Sequence, residues 1–413
     1  MRLLLGFLLL TVLVYWHYRF VATDSLKRYY FLVLVLKIVA GMAVGLIYIY
    51  YYKGGDTWNF FNQAVLFNQV AFFSWGNFKH LFLFNNYELI TGFEFLNQPR
   101  AILMIKLVAI INLITNNNYW LTSAFFSLFS FVGIWRFVTW AYQSFKLNKI
   151  ALLALVIWPS FLFWSSGVLK ESIAVGLIFW LIVEFFSLLK NDRSILRILG
   201  FMFALYLLFL IKYYFAVVLL VTLMEYGFMK LIHAEQWKTR KQFLVWFLFL
   251  FIGLGISGLL HPNLVLQNIL SVIIKNHNAF VGLSNSNNLI HFYYATSEWV
   301  WLLINTPKAL FAGLFLPLGL SSQNLLYSLA SIENGLLLVL VIRGVYKIKN
   351  RYLQSHFLLI LASVTYIVLL TVFLSLSTPN LGTLARYKVA YIPVFLVMIF
   401  ILNGFTKTQE KKL

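Results

Sequence analysis

No cysteine occurs among the 413 residues, which excludes disulfides, thiolate metal sites and cysteine nucleophiles. Charge is scarce as well: Asp, Glu, Lys and Arg make up 11% of the chain, against 62% hydrophobic residues. A soluble domain carries roughly 25% charged and about 45–50% apolar residues. A water-soluble core of this size has no means of hiding so much apolar side chain. Acids are the scarcer sign, 12 against 32 Lys and Arg, for a net charge of +20. Such an excess suits nucleic acid, but the basic residues are scattered over short loops and no basic domain exists to hold a duplex. HExxH, paired His at i and i+4, and a Walker loop are missing too. His277 and His291 read as polar loop residues. The apolar start, Leu3 to Trp16, resembles a signal peptide, but His17, Tyr18 and Arg19 follow it in place of a small-residue cleavage pattern. A retained first helix is predicted.

What is present is a series of nearly uncharged runs, several of them long enough to cross a hydrocarbon slab of about 30 Å at 1.5 Å per residue. The runs are continuous rather than alternating, which excludes a β-barrel. The predicted spans are 3–19, 29–52, 119–141, 150–164, 171–189, 197–211, 214–230, 243–260, 325–342, 356–376 and 387–404. The fold class that follows is all-α, a polytopic transmembrane helical bundle of about 11 spans in a single transmembrane domain, 1–413. Nineteen of the 32 basic residues fall into six segments. These hold Arg19, Lys27 and Arg28; Lys146 and Lys149; Lys190, Arg193 and Arg197; Lys230, Lys238, Arg240 and Lys241; Arg343, Lys347, Lys349 and Arg351; and Lys407, Lys411 and Lys412. All six lie on the cytoplasmic side if 57–118 and 261–324 both stay outside. The N-terminus is then outside. Segments 57–73, 101–115 and 299–320 are read as interfacial or re-entrant helices of these two outer segments, which are the candidate catalytic loops.

With so few acids, each has a place. Asp24, Asp192, Glu225, Glu235 and Glu410 fall at cytoplasmic loops, and Glu184 in the inner part of its span. Asp56, Glu88, Glu94, Glu171 and Glu298 lie on the outer side, and Glu333 lies within a span, where an ionisable group is costly and faces a partner or a cavity. Asp56 follows Lys53-Gly54-Gly55 at the exit of the second span. Two readings are open: a general base or metal ligand, or the N-cap of the apolar helix that follows. In Trp164-Ser165-Ser166-Gly167-Val168-Leu169-Lys170-Glu171, the serines suit a cap and Glu171 suits the dipole, or Lys170 and the helix N-terminus bind phosphate. Lys212-Tyr213-Tyr214 interrupts the apolar run 198–224, so the run is read as a hairpin turning near Lys212. That lysine either snorkels or binds an anion. Arg386-Tyr387-Lys388 opens the last span on the outer side against the charge bias, as an anionic ligand or lipid headgroups would explain. Lys308, in the outer Pro307 to Phe311, joins Lys170, Glu171, Lys212, Tyr213, Arg386, Tyr387 and Lys388 as substrate-binding candidates, with Glu88, Glu94, Arg100, Glu298 and Glu333 in reserve.

The layout resembles the GT-C superfamily of polytopic glycosyltransferases, which use polyprenyl-phosphate-linked sugars. Asp56, followed by 57–73 and 101–115, is similar to that family's acidic first outer loop with two juxtamembrane helices. Arg386-Tyr387 before Pro393 is similar to its basic residue near a late span. Trp164, Ser166, Gly167, Lys170 and Glu171, and the segment Pro307 to Phe311, also resemble uncharacterised bacterial envelope proteins with a WxSGxxKE-like turn. The resemblance implies a multi-pass enzyme of the bacterial inner membrane. Its partners would be a polyprenyl-phosphate-linked sugar, a glycan or lipid acceptor and the bilayer, not nucleic acid. Asp56 would activate the acceptor, while Lys170, Lys212 and Arg386 would neutralise the leaving phosphate. A divalent cation is a candidate cofactor without a defined ligand set. The alternatives are a polysaccharide repeat-unit polymerase or ligase, a transporter or flippase of lipid-linked sugars, and a non-catalytic scaffold. The absence of a sequence repeat and the outer location of most ionisable groups favour the enzyme over the transporter.

Overall fold

The computed structural model describes residues 2–21, 26–190, 194–320, 325–347 and 356–405. Arg193, Lys349, Arg351, Lys407, Lys411 and Lys412 of the charge count lie outside the described residues, as do Asp24, Asp192 and Glu410. Among the described residues the chain is helical, with one isolated antiparallel bridge between Leu289 and Asn380. Apolar runs this long satisfy their backbone groups only within the segment, and helices do so. Eight helices are long and apolar enough to cross a membrane, and a bent pair, Leu381–Ala390 with Ile392–Leu402, makes a further candidate. The protein is a multi-pass membrane protein.

The contacts divide the chain into two units. The first comprises Met1–Trp140, Leu162–Glu184 and Arg193–Lys212. It contains α1 (Arg2–Val21), α2 (Lys27–Tyr50), α3 (Asp56–Ala71), α4 (Trp75–Phe82) and α5 (Pro99–Thr115). Most of α6 (Tyr119–Phe145) and of α9 (Lys170–Leu189) also belongs to it, with the first half of α10 (Ile195–Leu231). The expected helices at 57–73 and 101–115 are α3 and α5, which pack along one another, and α1 packs on α5. Where α6 crosses α9, glycine lets the backbones touch: a Cβ on Gly133 would fall on the Gly176 carbonyl.

The second unit comprises Ala141–Phe161, Phe185–Asp192 and Tyr213–Leu413. The expected span 150–164 is two pieces, α7 (Lys149–Val156), capped by Asn148, and α8 (Pro159–Trp164). Pro159 lacks an N–H and opens α8 rather than continuing α7. There follow α11 (Thr239–Ser257), α12 (Leu266–Leu283), α13 (Glu298–Phe315), α14 (Leu325–Lys347) and α15 (Phe357–Ser377). α13 and α12 both pack on α15 through Ala309, Ile273 and Leu376. The last expected span, 387–404, starts earlier and is broken. α16 (Leu381–Tyr387), capped by Asn380, passes through the 3-10 turn Lys388–Ala390 into α17 (Ile392–Leu402) at 68°. Pro393 sits in the first turn of α17, where its missing N–H costs nothing.

α10 is broken at Lys212, whose backbone is not helical (φ −148°, ψ 79°), so it is two helices. Arg197 pairs with Glu184 of α9, while Tyr226 meets the ring of Phe186 and Gly227 faces Phe185. The break in the helix falls at Lys212, where the sequence places its interrupting charge.

Candidate functional site

The site is assembled in the first unit where α2 ends, α3 and α9 begin, and the first half of α10 ends. After α2 the chain runs through Lys53, Gly54 and Gly55 with φ of +55°, +134° and +121°. A Cβ on Gly55 would stand 2.9 Å from the Tyr48 ring, so this left-handed turn requires glycine there. The turn delivers Asp56 as the first residue of α3, with Gly55 in the cap position. Asp56 is therefore not the N-cap, and the half-buried carboxylate lies in the favourable field of the helix N-terminus. The next residues anchor the turn. The Thr57 and Tyr119 hydroxyls share a hydrogen bond of 2.6 Å, Trp58 Nε1 donates to the Gly45 carbonyl at 3.0 Å, and Trp58 stacks on Tyr119 at 3.9 Å.

Lys170 is placed by the turn 165–169. The expected serine caps are not formed. The Ser165 carbonyl accepts from Lys37 Nζ and from Ser130 Oγ, each at 2.7 Å, and the Ser165 hydroxyl also contacts Lys37. Ser166 Oγ donates back to the Leu162 carbonyl at 2.6 Å. Gly167, at φ +72°, donates its N–H to Ser127 Oγ at 3.0 Å and packs on Gly41, where a side chain would strike both the turn and Ser127. Lys37 is thus the pin that holds this turn between α2 and α6. Sequence reading passed over it because a single lysine barely dents the hydropathy of a 24-residue run. A full charge at mid-span is the signal that would have found it. Arg136 was missed for the same reason. It pairs with Glu184, which also accepts from Arg197 at 3.1 Å and from Trp180 Nε1 at 2.7 Å.

The half-buried Lys170 ammonium sits 4.7 Å from the Phe60 ring centroid, and Asp56, Glu171, Lys212 and Arg100 all act on it electrostatically. Asp56, Lys170 and Lys212 are thus brought together, and Arg100 with them. Their exposures differ. Arg100 is exposed and Asp56 and Lys170 are half-buried, whereas Lys212 and Glu171 are buried and joined by a 2.7 Å salt bridge. Glu171 and Lys212 therefore back the site rather than present charge to a ligand. Glu88 and Glu94 are exposed in the stretch between α4 and α5. That stretch is tied down at Asn85, whose Oδ1 accepts from Tyr87 at 2.6 Å and from Lys106 at 2.7 Å. Burial pushes the Tyr87 phenol up to about 12 and pulls the Lys106 amine below its ordinary value. Among the described residues no group of three or more His, Asp or Glu is placed to hold a metal ion.

An apolar cavity of about 370 Å³ lies in the same unit. Its walls come from α1, α5, α6, α9 and α10, with His17 the sole titratable side chain among them. Ile173, one turn along α9 from Lys170, and Leu107, two turns along α5 from Arg100, both line it.

The remaining candidates belong to the second unit. Tyr213 stacks on His261 at 4.0 Å and accepts from Asn263 Nδ2 at 3.2 Å. Lys308 lies 4.5 Å from the Tyr293 ring centroid, and Arg386 lies 5.5 Å from that of Tyr387. Glu298 is exposed in the first turn of α13. Lys388 is buried and donates to backbone carbonyls, so it does not project toward an anionic ligand. Glu333 accepts from the Ser160 N–H at 2.9 Å and from the Ser160 hydroxyl. Compared with protein-family models, curated proteins and solved structures, the chain matches none.

Proposed function

We propose that the protein is a glycosyltransferase that moves a sugar from a polyprenyl-phosphate-linked donor to an envelope glycan or lipid acceptor at the outer face of the bacterial inner membrane. The observation that carries this reading is the meeting of one accessible carboxylate, Asp56, with two accessible cations, Lys170 and Arg100. Asp56 takes the proton of the acceptor hydroxyl, and the freed oxygen attacks the anomeric carbon. The bond from that carbon to the phosphate oxygen breaks, its electron pair leaves with the phosphate, and Lys170 and Arg100 meet the charge that develops. The Glu171–Lys212 pair holds the Lys170 turn in place. The apolar cavity lined by Ile173, one turn from Lys170, and by Leu107, two turns from Arg100, suits the donor's hydrocarbon chain. A repeat-unit polymerase or ligase would use the same groups on a larger donor.

A transporter or flippase of lipid-linked sugars is the second reading. The observation in its favour is the bent pair α16–α17 with Lys388 at the bend, since broken spans with interior ionisable groups are found at transport sites. The two readings separate in proteoliposomes supplied with lipid-linked sugars extracted from the native membrane. The enzyme releases lipid phosphate and forms a new glycosidic bond on an added acceptor. Movement of intact donor across the bilayer, with no lipid phosphate released, replaces the enzyme with the transporter.

A further inference from the structure

The second unit contains a polar cluster that the glycosyltransferase reading does not use. Its centre is the Lys388 ammonium, which donates to the Leu316 carbonyl at 2.7 Å, to Asn334 Oδ1 at 3.3 Å and to the Leu314 carbonyl at 3.4 Å. An ammonium has three N–H groups and no acceptor, so these oxygens account for its donors. They come from three sources: the end of α13, the residue after it, and α14.

The surroundings are fixed by further bonds. Asn334 Nδ2 donates to the Pro317 carbonyl at 3.1 Å, which turns Oδ1 toward Lys388. Tyr391 donates to the Gly313 carbonyl at 2.8 Å and Tyr366 to the Ala390 carbonyl at 3.0 Å, holding both flanks of the bend. Glu333, next to Asn334, acts electrostatically on Lys388. Ser375, fully buried and with no hydrogen-bond partner among the described residues, lies against Gly313. Backbone carbonyls freed where helices end or break, an amide oxygen and a nearby carboxylate form the ligand set by which membrane proteins hold small cations. Here that set surrounds a side-chain ammonium of the same charge.

We propose that Leu314 O, Leu316 O and Asn334 Oδ1 form a monovalent-cation site whose resident cation is the Lys388 ammonium, and that the site takes a free monovalent cation when that ammonium is removed. The natural chain then carries its own cation and needs none from solution. This site is independent of Asp56 and Lys170.

The test is Lys388→Ala in the full-length protein, purified in detergent. Thermal unfolding is followed in lithium, sodium, potassium, methylammonium and N-methylglucamine chlorides at equal ionic strength. The parent protein unfolds at one midpoint in all five. Lys388→Ala unfolds earlier in N-methylglucamine, and methylammonium together with at least one alkali ion raises its midpoint saturably, by about 1–2 °C at ten times the dissociation constant. Asn334→Ala in the Lys388→Ala background abolishes that rise. A variant that folds but responds alike to all five salts overturns the proposal, because a lysine serving only as a structural tie leaves no ion site behind. So does an equal response of the parent, or a response that survives Asn334→Ala. Should Lys388→Ala not accumulate in ordinary medium, the proposal requires that methylammonium added during extraction restore a folded, monodisperse protein. Loss under every ion rejects it.

Discussion

Lys212 donates to Glu171 across 2.7 Å, and neither side chain reaches the surface. The lysine stands where α10 breaks, and the glutamate stands in the first turn of α9. The pair therefore ties the end of the first half of α10 to the turn that carries Lys170. Removing either partner alone leaves a buried charge, at a cost of about 3–5 kcal/mol. Glu171→Gln and Lys212→Met are each expected to lower the unfolding midpoint and the folded yield sharply, and Glu171→Met with Lys212→Met to recover much of both. Single variants as stable as the parent in a detergent melt would show that the pair holds nothing.

Asp56→Asn preserves shape at the first position of α3 and loses the dipole interaction, about 0.3–1 kcal/mol, together with its attraction to Lys170. Folded protein should persist. Transfer should fall by about 10²–10⁴-fold, as for loss of a general base. Undiminished surface glycan at normal abundance removes Asp56 from the mechanism.

Gly54 and Gly55 separate two costs. Both have positive φ, but a Cβ on Gly54 meets nothing within 4 Å, while one on Gly55 meets Tyr48 at 2.9 Å. Gly54→Ala carries the backbone strain alone, about 1–3 kcal/mol. Gly55→Ala adds the collision and should displace Asp56, so its transfer rate drops further than that of Gly54→Ala at matched protein level. Equal rates for the two variants contradict the placement of the turn.

The crossing of α6 and α9 has no room for a side chain at Gly133. Gly133→Val should abolish the folded, monodisperse peak on size exclusion. Gly335→Val, at a position with nothing within 4 Å, should leave it intact. A surviving Gly133→Val peak would mean that the helices do not cross at this glycine.

The charge distribution makes a topological prediction. Reporter fusions at Gly54 and Lys349 should report opposite sides of the membrane, the first outside and the second in the cytoplasm. The same side for both would invalidate the assignment of the six basic segments.

Helical spans, their approximate limits and the break at Lys212 were legible in the sequence. They follow from local properties: a run of apolar residues must pair its own backbone in lipid, and a charge in its middle forces a break. Asp56 and Lys170 stood out for the same reason, as rare charges beside glycine turns at span ends. The sequence alone left open which buried groups find each other. Lys37 meets Ser165 from 128 residues away, Lys212 meets Glu171 from 41, and Lys388 turns from a presumed anion ligand into a donor to carbonyls 72 and 74 residues earlier. A buried ammonium must find acceptors, but its own sequence neighbours do not specify which. Only the packing of the helices brings those oxygens within reach, and that packing decides whether a charge faces a ligand or is consumed in holding the fold.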